Sequence, residues 1–183
     1  MQHIGFIVKS LIAFIVINGL FITQLYADDA YNEYHIKAAF LYNLTLMIKW
    51  PDERSKTRIS DPLVICTLGE DSFGSLLDTI KENTVRKRSL ILKRNIELNQ
   101  SQNCHVLFIV RAEKDNVSKI LSYVKGLPIL TVSEIPKFAN DGGMINMVKR
   151  RNRVKLEINL KVLKQVQLYA NARLLVLAKI VDK

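Results

Sequence analysis

Residues 128–159, PILTVSEIPKFANDGGMINMVKRRNRVKLEIN, decide the fold. Pro128–Val132 reads as a short buried strand, and Ser133–Asp141 as a loop closed by Asp141-Gly142-Gly143. Met144–Val148 and Arg153–Ile158 read as two strands joined by a charged turn, and Asn159 is a candidate N-cap for the helical segment that follows. A glycine pair after aspartate lets the backbone enter φ > 0 and turn tightly before an apolar strand. That pattern fits a plain loop-to-strand turn. It also fits a loop held out for a partner, with Phe138 as its contact residue.

The turn itself is densely basic. Lys149, Arg150, Arg151 and Arg153 crowd into five residues. Such a run serves as a solvated tip that discourages edge pairing. Alternatively it captures an acidic partner electrostatically, with burial of a neighbouring apolar patch supplying most of the affinity.

Working outward, strands alternate with helices on the N-terminal side. Tyr34–Ile48 carries Ile36, Phe40, Leu44 and Met47 at helical spacing and stops at Trp50-Pro51. Trp50 packs in a core or anchors an interface. Residues 52–60 form a polar loop. Leu63–Leu68 is a continuous apolar run ending at Gly69, the pattern of a buried parallel strand. A helix follows, from Phe73 to about Glu82, with Asp71 or Ser72 as cap. Gly69-x-x-x-x-Gly74 is no phosphate loop: Ser75 and Leu76 occupy the places of Lys and Ser/Thr, and Glu70-Asp71 repel phosphate.

Further along, Arg86-Lys87-Arg88 is a basic patch before the strand Leu90–Leu92, and Cys104–Val110 is the clearest buried strand. His105 at its start reads as a structural histidine. Asp115 or Asn116 caps a helix through Val124. Beyond Asn159, Leu160–Val166 is helical, Gln167–Ala170 extended and Asn171–Val181 a second helix. The alternation predicts a single three-layer-like α/β domain over residues 28–183. Its sheet is mainly parallel, flanked by helices, with an antiparallel hairpin at one side. The apolar sides of Tyr34–Ile48 and Asn171–Val181 predict a homodimer.

Residues 1–27 read as a signal peptide: Lys9 in the n-region, an apolar run from Leu11 to Phe21, and cleavage after about Ala27. The destination is then the periplasm. Removal leaves 156 of the 183 residues and costs one positive charge of the net +10. A basic exported domain suits acidic partners or an anionic membrane surface, and its address argues against nucleic acid. Cys66 and Cys104 are the only cysteines, and an even count in an exported chain reads as one disulfide. In the chain-entropy view the bridge is worth up to about 4 kcal/mol.

Catalytic signals are absent. The histidines are scattered at His3, His35 and His105, there is no C-x-x-C, and neither a metal set nor a cofactor motif is present. Ser133-Glu134 lacks nucleophile-elbow spacing. The reading is of a binding protein, not an enzyme.

The segments HIKAAFLYNLTLMIKWP (35–51), LVICTLGEDSFGSLL (63–77), TVSEIPKFANDGGMINMV (131–148) and RVKLEINL (153–160), in this order, resemble the YfiR-like family of periplasmic regulators. The resemblance runs from Tyr34 to Val181. It implies a negative regulator that binds the periplasmic sensing domain of an inner-membrane diguanylate cyclase and lowers cyclic-di-GMP synthesis. An outer-membrane lipoprotein that relieves the repression is an implied second partner. Two positions depart from the pattern. Gln167 stands where the family has glycine, and Asn171-Ala172 replace a serine pair. Some relatives also carry a second cysteine pair that this chain lacks. Competing readings are a periplasmic small-ligand sensor serving another receptor, such as a histidine kinase, and a hydrolase.

Overall fold

The structure, a computed structural model, describes residues 33–51, 61–81, 83–151 and 153–181. The expected signal peptide and the polar loop 52–60 lie outside the described residues. Helix α1 covers 33–47 and leads into a two-residue strand β1 (Ile48–Lys49). There follow β2 (Leu63–Leu68), β3 (Thr84–Val85), β4 (Arg88–Ile96), β5 (Val106–Ile109), α2 (Val117–Tyr123) and β6 (Leu130–Ser133). The C-terminal third contributes β7 (Ile145–Arg150), β8 (Arg153–Ile158), α3 (Leu160–Gln165), β9 (Tyr169–Ala170), α4 (Ala172–Leu177) and β10 (Ala178–Ile180).

Eight strands form one sheet in the order β10-β8-β7-β6-β5-β2-β4-β3. Strands β4, β2, β5, β6 and β7 are parallel, and β8 runs antiparallel to β7 as the expected hairpin. The chain moves from β2 outward to β4, then crosses back to β5 and continues through β6 to β7. That reversal between β2 and β5 defines a doubly wound sheet.

Strict alternation builds the two cores. Leu63 and Ile65 of β2, Val106 and Phe108 of β5, and Leu130 and Val132 of β6 face α1 and the C-terminal helices. Cys66, Leu68, Leu107 and Ile109 face α2 and the loop after β6, against Val117, Ile120, Ile135 and Phe138. The result is the expected three layers. Cys66 and Cys104 are bonded, joining β2 to the residue that ends the short 3-10 helix Leu98–Asn103. Asn159 caps α3 as its position suggests, accepting from the Val162 N–H at 3.1 Å.

Several elements differ from the sequence reading. The segment after Gly69 is a 3-10 helix, Gly74–Ile80, and α2 is entered through another, Arg111–Asn116, with no side-chain cap from Asn116. The strand expected at Leu90–Leu92 extends over Arg88–Ile96, because it has neighbours on both sides. The final helix stops at Leu177, and Ala178–Ile180 pairs with Leu156–Ile158 instead. The open edge of β8 offers backbone partners there, and Val181 donates to the Ile158 carbonyl at 2.9 Å.

Of the basic run Arg86-Lys87-Arg88, Arg86 and Lys87 are exposed and only Arg88 is buried. Arg86 and Lys87 form the two-residue turn between β3 and β4, with φ of 51° and 70°, a primed-turn geometry that sequence rarely announces without Asn-Gly. Arg88 is 4 % exposed and donates to the Asp61 carbonyl at 2.6 Å. His105 is the structural residue expected. Its Nδ1 accepts from the Val64 N–H at 3.1 Å, and its ring meets buried Trp50 edge-on at 6.1 Å.

Candidate functional site

Parallel strands end together, so the loops that follow them converge. The segments after β2, β5 and β6 and the end of β7 meet the start of α1 around a cleft of about 860 Å³. Its walls include Glu33, Tyr34, Glu70, Arg111, Glu134 and Lys149, over an apolar floor of Phe108, Val110 and Pro136. Open α/β sheets bind ligands and partners at this place, outside the carboxyl ends of the strands where the winding reverses.

Lys37 lies at the centre of the charge arrangement. It is 1 % exposed and sits between the carboxylates of Glu33 and Glu134. Its ammonium also lies 4.5 Å from the centroid of the Tyr34 ring. Helical spacing places Glu33 one turn before Lys37 on α1, while Glu134 is delivered by the end of β6. The Tyr34 hydroxyl donates to Glu134 Oε1 at 3.1 Å, and Arg111 Nε lies 3.8 Å from the same oxygen. Lys149 Nζ closes the chain 3.0 Å from Glu33 Oε2.

Three cations and two carboxylates thus connect α1, the β5 and β6 loops and β7. Burial alone would raise the Glu33 pKa, but its bonds to Lys37 and Lys149 outweigh that and hold it below the ordinary value. Burial and the neighbouring Glu134 charge raise the Tyr34 phenol, against an opposing bond from Ser72. A buried ammonium is tolerable only with its carboxylates in place. The network therefore fixes α1 to the carboxyl edge and holds the walls of the cleft in register.

Next to the cleft, Asp71 accepts from the Phe73 N–H at 3.1 Å and from Thr67 Oγ1 at 2.8 Å, and it pairs with Arg94. Burial works against its ionisation, yet these donors hold the carboxyl below its usual range. Asp71 thus braces the turn ahead of the 3-10 helix, whose N-cap is Phe73 with no side-chain cap bond, so the cap expected at Asp71 or Ser72 is not formed.

The predicted partner residues divide into three groups. Lys149 and Arg150 line the cleft, Lys149 paired with Glu33 and Arg150 with Glu157 at 3.1 Å. Arg151 and Arg153 stand exposed at the hairpin tip, where Arg151 has φ of 46°. Phe138 belongs to neither. It is completely buried beneath Gly143, so the loop 133–141 folds back on the sheet, and the reading of Phe138 as a contact residue is corrected. Sequence reading missed Glu33, Lys37, Arg111 and Glu134. Only the Glu33–Lys37 spacing signalled any part of the network.

Ser133 and His105, a nucleophile and a base that a hydrolase could use, are not brought together. Ser133 Oγ donates to the Ile109 carbonyl at 2.7 Å and accepts from the Ile135 N–H at 3.0 Å, fully buried. Ser133 pairs with Ile109 at the end of β5, whereas His105 precedes the start of that strand. About 13 Å of strand separates the two levels.

No helix among the described residues is long and apolar enough to cross a membrane. No curated protein matches the chain. Residues 34–179, most of its length, match the YfiR/HmsC-like family, and the protein belongs to that family.

Proposed function

We propose that the protein is a periplasmic negative regulator that binds the periplasmic sensing domain of an inner-membrane diguanylate cyclase and lowers cyclic-di-GMP synthesis. Family membership over residues 34–179 carries this reading. Supporting it, the charged cleft at the carboxyl edge is walled by interlocked ion pairs, a surface suited to a charged partner. In this reading the leader expected at 1–27 directs the chain to the side of the membrane where such a sensing domain lies.

The partner surface in this reading is the carboxyl edge together with the hairpin tip. Arg151 and Arg153 steer an acidic partner, and the apolar floor of the cleft supplies contact area. Each exposed charge contributes no more than about 1 kcal/mol, so their role is mainly in the rate of encounter. Arg150 is a poorer probe, because it is already paired with Glu157.

Crosslinking in intact envelopes followed by affinity purification tests the partner. The expected catch is a membrane cyclase with a periplasmic domain; a histidine kinase in its place supports the sensor reading. With the partner in hand, Arg151→Glu combined with Arg153→Glu should slow association at low salt and leave thermal stability unchanged. Equal association rates for both forms would show that the tip is only a solvated turn.

A further inference from the structure

Strands β7, β8 and β10 present two faces of opposite character. On one, Val154, Leu156 and Ile158 of β8 enter the core shared with α1 and α4. Alternation sends Arg153, Lys155 and Glu157 to the other face. Register adds Arg150 of β7, opposite Arg153, and Lys179 of β10, opposite Glu157. The 3.1 Å hydrogen bond from Arg150 to Glu157 fixes the side they share. Helix α2 and the loop 133–141 pack on this side over β2 and β5. The loop reaches β7 only at Asn146, whose side chain donates to the Ser133 and Ile135 carbonyls. Past Asn146 the face is open, with Arg153, Lys155 and Lys179 exposed.

Charge on the open part is unbalanced. Arg150 and Arg153 stand directly opposite one another, an arrangement that destabilises a ladder. Glu157 is the single carboxylate on these three strands, and Arg150 engages it. Among the described residues, Arg153, Lys155 and Lys179 have no carboxylate partner. Three unneutralised cations therefore share one uncovered sheet face.

We infer that this face takes an extended acidic segment of a protein partner, one with carboxylates at alternate positions. Arg153 and Lys155 are two residues apart on β8, about 7 Å, and carboxylates two residues apart on an extended segment repeat at the same interval. Lys179, one strand outward, widens the patch, so a segment crossing β8 at a shallow angle still meets a cation. A bilayer is a poorer occupant, because Ile180 and the exposed aliphatic residues of α4 lie on the opposite side of the sheet. A second copy is disfavoured by charge, since a two-fold contact would set the three cations against their own equivalents. The inference rests on the reading of the protein as a partner-binding regulator, and it adds the surface and the chemistry of the contact.

The test is titration of the processed chain, followed by backbone NMR, with the peptide acetyl-Glu-Thr-Glu-Thr-Glu-Thr-Glu-amide. A peptide of the same composition with its glutamates contiguous is the control and should bind more weakly. Shifts should centre on Arg153, Lys155 and Lys179, and affinity should fall as salt is raised. Lys155→Glu with Lys179→Glu should lower affinity about tenfold or more. Lys155→Gln with Lys179→Gln should lower it less, in the same direction. All these positions are exposed, and unchanged melting verifies the fold. No shift on this face, equal affinity for wild type and both variants, or equal affinity for the two peptides would overturn the inference. So would a dimer in solution, or binding to anionic phospholipid vesicles without binding to the peptide, that the same substitutions abolish. The regulator reading is judged apart from it. If wild type and the Lys155→Glu, Lys179→Glu form capture the membrane cyclase equally well, this face is removed and the regulator stands. If the peptide result holds but wild type captures no cyclase, the face stands and the regulator reading falls.

Discussion

A β-carbon on Gly143 would lie 2.1 Å from Cε1 of the buried Phe138 ring. The Gly143 N–H also donates to the Phe138 carbonyl at 2.9 Å, so backbone and ring approach from the same side. Gly142 before it takes φ of 105°. The pair of glycines therefore has two separate causes, a left-handed backbone at 142 and a ring against the backbone at 143. Gly143→Ala should destabilise by about 1–3 kcal/mol through overpacking, and Phe138→Ala by about 3–5 kcal/mol through the cavity it leaves. In a double-mutant cycle by chemical denaturation, Gly143→Ala should cost much less once Phe138 is alanine. Additive costs would contradict the contact.

Lys37 between Glu33 and Glu134 makes a second prediction. Lys37→Met leaves Glu134, 6 % exposed, without its buried cation, with the Tyr34 hydroxyl at 3.1 Å and Arg111 at 3.8 Å as its remaining partners. Breaking a buried pair from one side costs about 3–5 kcal/mol. Urea denaturation at neutral pH measures it. A loss below about 1 kcal/mol would mean that Tyr34 and Arg111 already satisfy Glu134.

Acid should loosen the same network. The folded Glu33 pKa lies below its ordinary value of 4.5, so the unfolded chain binds more protons in that window. Stability from Glu33 is complete above pH 4.5 and is lost as pH falls through the lowered folded value. Glu33→Gln should therefore flatten the fall of the denaturation midpoint below that pH. An identical pH profile for the variant would remove Glu33 from the account.

Gln167 has φ of 58°, in the left-handed region that favours glycine, the residue the family resemblance implies there. The turn between α3 and β9 therefore bears the strain of a β-carbon at a positive φ. Gln167→Gly should raise stability by about 1 kcal/mol. A loss of stability on substitution would show that the side chain makes a compensating contact. The serine replacement costs nothing visible, since Asn171 Oδ1 accepts from the Leu174 N–H at 3.0 Å and caps α4.

The parallel strands were legible because Leu63–Leu68 and Val106–Ile109 are apolar runs, and because Leu130–Ser133 continues the apolar pair Ile129-Leu130 with β-branched Thr131 and Val132. The hairpin was legible through its alternation, and the bridge through cysteine count and export. What escaped depended on contacts far apart in sequence. Lys37 and Glu134 are 97 residues apart, and nothing local says that a lysine on a helix will be buried. Phe138 looked like a loop residue because its burial depends on Gly143 and on Val117 and Ile120 of α2, across the fold. The end of the last helix was set by the vacant edge of β8, a tertiary opportunity that helical periodicity does not record.

Reconstitution of the regulated reaction tests the central claim most directly. The partner cyclase, in vesicles with its sensing domain outward and its catalytic domain enclosed with nucleotide, would be titrated with the purified processed chain. Cyclic-di-GMP synthesis should fall saturably with added protein, and the Arg151→Glu, Arg153→Glu form should require a higher concentration at low salt. Synthesis that is unchanged at saturating protein, while binding to the cyclase is measured in the same vesicles, would contradict the account of a negative regulator.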